Sequence, residues 1–283
     1  MDEKGGEFTV SIFDTIELHN GVKMPAFGLG VYKVEEGEQL EKTIHTALDL
    51  GYRLIDTASF YQNEEGVGQA IRNSGIPREE LFITTKVWNS EQGYENTLKA
   101  FDDSMERLGL DYLDLYLVHW PVKGKYLETW RALEELYREG RVKAIGVSNF
   151  KIHHLKDLLS HAAEKPVINQ VELHPLLSQV ELREFCQQNE IKVEAWSPLS
   201  RGRFLEEPVL GKIAAQHGKT PAQVILRWHL ENQIIPIPKS VTPARLKENT
   251  EIFDFQLNQK ELEEINGLNK DQRFGADPDH IDF

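Results

Sequence analysis

The chain has 283 residues, enough for one large α/β barrel or two small domains, and its 40% hydrophobic and 28% charged content is ordinary for a soluble globular protein. A formal net charge of −14 argues against nucleic acid as the main partner. No apolar run approaches the roughly 18 residues of a membrane span. The start, Met1-Asp2-Glu3-Lys4-Gly5-Gly6, is too polar for a signal peptide. The one cysteine, Cys186, leaves no internal disulfide, so a cytoplasmic protein is expected.

Residues 8–26 contain two extended runs around His19-Asn20-Gly21-Val22, and Asn20-Gly21 between such runs predicts a hairpin. Strand and helix patterns then alternate almost to the end. The first strand is read over 27–31 with a helix over 38–50, and the second over 54–57 with a helix over 64–73 that stops at Ser74-Gly75-Ile76-Pro77. The third runs over 81–87 before a helix over 94–108. The fourth runs over 111–119, followed by Trp120-Pro121 and a helix over 127–138. A fifth strand over 142–148 leads to a helix over 153–160, and a sixth over 167–173 leads to the helix that carries Cys186 as a small core hydrophobe. The seventh, over 191–197, is followed by helices over 208–217 and 221–231, the latter with Thr220 as N-cap and Pro221 at its first position. The eighth runs over 234–237. Helices over 243–249 and 259–268 precede a polar tail.

Eight strands alternating with helices in about 250 residues is the arithmetic of a (β/α)8 TIM barrel. No Pro/Gly/Ser-rich linker divides the chain, so one domain over 1–283 is expected. Its parts would be an N-terminal β-hairpin (8–26), the barrel (27–250), and a C-terminal helix and tail (251–283) with the extra helices. A doubly wound dinucleotide-binding sheet would require Gly-x-Gly-x-x-Gly after an early strand. Gly28-Leu29-Gly30 and Gly66-Val67-Gly68 both lack the third glycine, and the second pair lies inside a helix pattern.

Polar residues gather where the strands stop, which is where barrel chemistry is found. The second strand ends in Asp56, and Tyr61 follows closely. The third ends in Lys86 and the fourth in His119. Ser148-Asn149, Asn169-Gln170, Trp196-Ser197 and Lys239-Ser240 occupy the later strand ends. Each has a bland reading alone: Lys86 as an ordinary charge, His119 as a satisfied buried histidine, Asn149 as a helix cap. An acid, a base and an imidazole leaving three consecutive strands is harder to assign to chance. No His-Glu-x-x-His or paired Cys-x-x-Cys spacing offers a metal site, and no Gly-x-Ser-x-Gly elbow presents a nucleophile. The set suits proton transfer without a metal.

Three long, well-separated segments carry a resemblance. They are Gly51-Tyr52-Arg53-Leu54-Ile55-Asp56-Thr57-Ala58 with Tyr61; Leu110-Asp111-Tyr112-Leu113-Asp114-Leu115-Tyr116-Leu117-Val118-His119-Trp120-Pro121; and Ile237-Pro238-Lys239-Ser240 with Arg245, Glu248 and Asn249. On these the chain resembles the aldo-keto reductases over nearly its whole length, and within them the bacterial glyoxal/methylglyoxal reductases and the diketogluconate reductase group. The resemblance implies Asp56, Tyr61, Lys86 and His119 as the catalytic four, and reduction of a small carbonyl substrate. Tyr61 would be the general acid, since the Lys86 cation would favour its phenolate and so strengthen the phenol as a donor. Asp56 would hold Lys86, and His119 would orient the carbonyl and donate a hydrogen bond.

The hydride has to come from a cofactor, and the resemblance implies NADPH/NADP+. Gly30 and Val31 would touch it. Ser148, Asn149 and Gln170 would take the carboxamide, Trp196 the nicotinamide ring, and Ser197 and Leu199 the pyrophosphate path. Lys239, Ser240, Val241, Thr242 and Arg245 would receive the adenosine-ribose phosphate, with Asn249 near the adenine. Arg201 and Arg203 lie on a turn that either covers the cofactor or is simply exposed. Tyr32, Trp88, His119 and Trp120 would border the substrate. Only Val122–Tyr126 separates Trp120-Pro121 from the next helix, where relatives that bind bulky steroids carry long insertions, so the resemblance implies a shallow, open pocket. No surface seam requires a dimer, and a monomer is expected. A barrel that keeps its cofactor as a redox sensor or regulatory subunit is the alternative to an enzyme.

Overall fold

The computed structural model describes residues 11–281, so residues 8–10 of the expected hairpin and the last two residues lie outside the described part. The hairpin pairs β1 (Thr15–Glu17) with β2 (Lys23–Pro25), antiparallel. Leu18 donates its N–H to the Val22 carbonyl (2.9 Å), and Gly21 takes φ 84° within the loop, a conformation that glycine adopts without strain.

Eight parallel strands follow in one sheet: β3 (Gly28–Gly30), β4 (Leu54–Asp56), β5 (Phe82–Val87), β6 (Leu113–Val118), β7 (Val142–Ser148), β8 (Ile168–Glu172), β9 (Lys192–Trp196) and β10 (Ile234–Pro236). Each pairs with the next in chain order, as a barrel requires. The Gly30 N–H reaches the Pro238 carbonyl at 3.4 Å and brings the first strand against the last. A Cβ at position 30 would stand 3.0 Å from the Ile237 carbonyl oxygen, so this close approach favours glycine. The helices are α1 (Glu38–Asp49), α2 (Glu64–Asn73), α3 (Tyr94–Leu108), α4 (Tyr126–Arg138), α5 (Ile152–His161), α6 (Val180–Gln188), α7 (Pro208–His217), α8 (Pro221–Glu231), α9 (Pro243–Thr250) and α10 (Gln259–Asn266). None of the described helices is long and apolar enough to cross a membrane. Four short 3₁₀ turns, at Ser59–Tyr61, Arg78–Glu80, Asn89–Glu91 and Ser200–Gly202, do not appear in the sequence reading.

Two apolar layers follow from strand alternation. Ile55, Ile83, Tyr116, Val118, Ile145 and Val193 face outward and pack under the helices. Leu54, Phe82, Leu115, Leu117, Ala144, Ile168 and Ile235 face inward, and Leu18 and Met24 of the hairpin join them. The barrel floor is therefore plugged with hydrocarbon.

Helix ends are set by local chemistry. Thr220 Oγ1 accepts from Gln223 N (3.3 Å) while Gln223 Oε1 accepts from Thr220 N (2.9 Å), a reciprocal cap ahead of Pro221. Gly68 has a packing role: a Cβ there would lie 1.9 Å from the Leu108 carbonyl oxygen, so α2 can approach the end of α3 only with glycine. That accounts for Gly66-Val67-Gly68 without a phosphate loop.

Candidate active site

Inward positions near the upper strand ends change from hydrocarbon to polar. Counting by two from Leu54, Phe82 and Leu117 places Asp56, Lys86 and His119 above the plug. Gln170 on β8 and Glu194 on β9 share this polar stretch. Lys86 is fully buried and donates from Nζ to Asp56 Oδ1 (2.6 Å), the Thr57 carbonyl (2.9 Å) and Tyr61 Oη (3.3 Å).

The turn that delivers Tyr61 is fixed from two sides. Ser59 Oγ bonds to Glu91 Oε2 (2.8 Å) and the Lys86 carbonyl (3.1 Å), and Trp88 N donates to the same Glu91 oxygen (3.1 Å). Asn63 is the N-cap residue of α2 but makes no side-chain cap bond. Its amide instead donates to the Val31 and Val34 carbonyls (3.0 and 2.8 Å) and accepts from Thr57 Oγ1 (2.6 Å), which ties the loops after β3 and β4 together. Glu64, in the first turn of α2, is buried and binds Thr85 Oγ1 (2.5 Å) and Arg107 (2.7 Å).

Electrostatics assign protonation states. Burial works against the Lys86 ammonium, but Asp56 and Tyr61 outweigh it and move its pKa upward. Burial holds His119 well below the ordinary imidazole range and the nearby Lys86 cation adds to this, so the ring is neutral at pH 7. His119 Nδ1 is buried without a hydrogen-bond partner among the described residues. For Tyr61 the expected pull of Lys86 toward the phenolate is present but is not the largest influence. Lys86 does pull the phenol down, but burial outweighs it and the value is pushed up to about 12. Tyr61 is thus held as the protonated phenol.

An aromatic rim surrounds these groups. Tyr32 lies 4.9 Å from Tyr61 between ring centroids, and Trp88 meets His119 edge-on at 5.0 Å. Phe60, absent from the sequence reading, is 45% exposed and stacks on Trp88 at 3.8 Å and 17°. Trp120 is 8% exposed, so it contributes far less to the rim than expected. The cause is local: it follows directly on β6 and its carbonyl accepts from buried Gln92 (2.7 Å), which draws it into the wall.

The residues expected at the cofactor lie along β7 to β10. Ser148 Oγ donates to the Gln170 carbonyl (2.8 Å). Asn149, at φ 64°, donates to the His119 carbonyl (3.0 Å) and accepts from Trp196 Nε1 (2.8 Å), so it is no helix cap. Gln170 spends both side-chain amide hydrogens on Asp56 Oδ2 (2.8 Å) and Glu194 Oε2 (2.6 Å), leaving its side-chain Oε1 for a ligand. Ser197, Ser200 and Arg201 all have positive φ (52°, 43° and 56°), which turns the segment around Leu199 sharply away from β9. Arg203 stacks its guanidinium on Phe274 (4.6 Å), which accounts for it without a ligand, while Arg201 is exposed. Trp196 is half-buried, and a Cβ on Gly275 would stand 2.4 Å from its ring, so the tail packs against that indole.

Beyond β10, Gly30 donates to the Pro238 carbonyl (3.4 Å) across the barrel seam, just ahead of Lys239, Ser240, Val241 and Thr242. Thr242 N donates to Ser240 Oγ (3.2 Å) just before α9. Thr242 makes no side-chain cap bond, and Lys239 and Arg245 are exposed with no ion-pair partner among the described residues. Open helix-terminal N–H groups and two unpaired cations form a donor set suited to a phosphate. Asn249 is buried two turns or so further along α9.

The sequence profile of the aldo/keto reductase family matches residues 26–270. A glyoxal reductase of Bacillus subtilis (strain 168) is 57% identical over 273 residues, which span 96% of this chain and 99% of the relative. Methylglyoxal reductase DkgA of Escherichia coli (strain K12) is 47% identical over 94% of this chain and 97% of its own. Among solved structures, a mutant of Gox0644 in complex with NADPH superposes with a TM-score of 0.89 at 47% identity, over 95% of this chain and 98% of that one.

Proposed function

This chain belongs to the aldo/keto reductase family, and on that premise we propose that it reduces small aldehydes and dicarbonyls of the methylglyoxal kind with NADPH, with Tyr61 as general acid. One observation carries the reading: buried Lys86 bridges Asp56 Oδ1 at 2.6 Å and Tyr61 Oη at 3.3 Å, with neutral His119 beside them. NADPH, when bound, supplies the hydride to the carbonyl carbon. The residues that would hold it are Ser148, Asn149, Gln170 and Trp196 at the nicotinamide end, Gly30, Val31, Ser197 and Leu199 along its path, and Lys239–Thr242, Arg245 and Asn249 at the adenosine end.

The protein's own work is proton transfer. As charge develops on the carbonyl oxygen, the Tyr61 hydroxyl gives up its proton to it. Lys86 then neutralises the phenolate left behind in a site too buried for water to do so. Asp56 keeps the ammonium charged and in place. Neutral His119, with its proton on Nε2, donates a hydrogen bond to the same carbonyl oxygen and fixes which face meets the hydride.

Substrate size follows from the rim. Tyr32 and Phe60 are 39% and 45% exposed, and only the short Val122–Lys125 link precedes α4, so little wall surrounds a bound molecule. An open pocket gains little binding energy from remote parts of a large substrate. Intrinsic carbonyl reactivity then governs turnover. Methylglyoxal and phenylglyoxal are expected to be turned over with high KM, and with kcat/KM roughly tenfold or more above that of a bulky steroid ketone. Monitoring NADPH absorbance over such a panel tests this: a steroid preferred over methylglyoxal overturns the open pocket, and no turnover of any carbonyl leaves the sensor reading in its place.

A further inference from the structure

The polar layer contains one group that the mechanism above does not use. Glu194, on β9, is fully buried, and its Oε2 accepts from Gln170 Nε2 at 2.6 Å while its Oε1 has no partner among the described residues. The same Gln170 nitrogen donates to Asp56 Oδ2 at 2.8 Å. One amide therefore bridges two buried carboxyl groups, and Asp56 continues through Lys86 to Tyr61 Oη. Register sets Ile235 of β10 opposite Glu194, an apolar neighbour on the other side. The titratable groups facing this layer are thus Asp56 from β4, Tyr61 from the following turn, Lys86 from β5 and His119 from the end of β6.

A charge count decides the state of Glu194. His119 is neutral and Tyr61 protonated, so Lys86 is the single cation against two carboxyls. Asp56 touches it at 2.6 Å, whereas Glu194 touches only an amide. A second carboxylate here would be buried, half-unsatisfied and repelled by the first. Burial raises both carboxyls, Asp56 included, and the Lys86 contact at 2.6 Å, which only Asp56 has, assigns the proton to Glu194.

Building on the proposed reaction, we propose that Glu194 is a positioning residue for it: as the neutral acid it leaves Lys86 and Asp56 a one-to-one ion pair beneath Tyr61, and its ionisation switches the proton donor off. The sign is fixed by electrostatics. A negative Glu194 stabilises the Lys86 ammonium but disfavours a phenolate at Tyr61, so the phenol becomes a weaker acid and carbonyl reduction slows. Burial and the Asp56 charge push Glu194 up to about 8, which sets where the change falls.

The experiment is the pH profile of kcat for methylglyoxal reduction at saturating NADPH, for the parent protein, E194Q and E194D. At pH 9.5 the parent is expected to retain about a third or less of its own pH 7 kcat, because only a few per cent of Glu194 stays neutral. E194Q keeps an acceptor for Gln170 but cannot ionise, so it should retain roughly two thirds or more; E194D should restore the alkaline fall. An E194Q profile that superimposes on the parent's overturns the proposal. Carboxyl ¹³C NMR of the parent protein covers a variant that fails to fold. One glutamate titrating near pH 8, and missing from no other buried site, supports the proposal, and a full set ionised by pH 6 overturns it. This spectrum does not depend on turnover, so a chain that reduced no carbonyl would fail the proposed function while still reporting the state of Glu194.

Discussion

Tyr61→Phe is expected to lower kcat for methylglyoxal by about 10²–10⁴-fold, the usual range for removal of a general acid. The change deletes one oxygen and leaves the ring between Tyr32 and His119, at 4.9 and 5.8 Å, so the shape of the rim survives. Lys86 loses its contact at 3.3 Å but keeps those to Asp56 and the Thr57 carbonyl at 2.6 and 2.9 Å. The ion pair, and with it the folded layer, should persist. NADPH affinity, read by fluorescence titration, should therefore change little while kcat collapses. A fall in kcat of less than tenfold would remove Tyr61 from the role of acid and transfer it to His119 or to water.

The second large effect concerns the cofactor's phosphate. Lys239→Ala and Arg245→Ala are each expected to weaken NADPH about tenfold and to leave NADH nearly unmoved. Charge-assisted hydrogen bonds contribute about 1.5–3 kcal/mol, and because both side chains are exposed the lower end applies. The two losses should shrink together as salt rises, since exposed charges are screened. Competition titrations of both nucleotides at low and high ionic strength check this. Equal kcat/KM for NADPH and NADH in the parent protein would reduce Lys239 and Arg245 to surface charges.

What could be read from the sequence was whatever depends on period and punctuation. The strand ends brought Asp56, Lys86 and His119 to one end of the barrel, and Ser74-Gly75-Ile76-Pro77 closed a helix where expected, so eight strand–helix units were legible. Residues that act through tertiary contact were not. Asn63 sits in an N-cap position, and nothing in Gln62-Asn63-Glu64-Glu65 reveals that its amide spans to the loop after β3. Phe60 is one aromatic among small residues until β5 brings Trp88 beneath it. Glu194 reads as one polar residue in Lys192-Val193-Glu194-Ala195-Trp196, and its meaning appears only when Gln170 joins it to Asp56. The Tyr61 phenol shows the same limit from the other side. Proximity of a lysine is legible, but the degree of burial that outweighs it is a property of the folded chain.

The central claim, hydride transfer from NADPH to a carbonyl carbon at the Tyr61–Lys86–Asp56–His119 site, is tested most directly by isotope transfer. Methylglyoxal would be reduced with NADPH carrying deuterium at one face of nicotinamide C4, and the product alcohol examined by mass spectrometry and NMR. The predicted result is one deuterium on the former carbonyl carbon from one labelled face only, in step with NADPH consumed, and loss of that label transfer in Tyr61→Phe. Unlabelled alcohol, label arriving equally from both faces, or unimpaired transfer in Tyr61→Phe would contradict it.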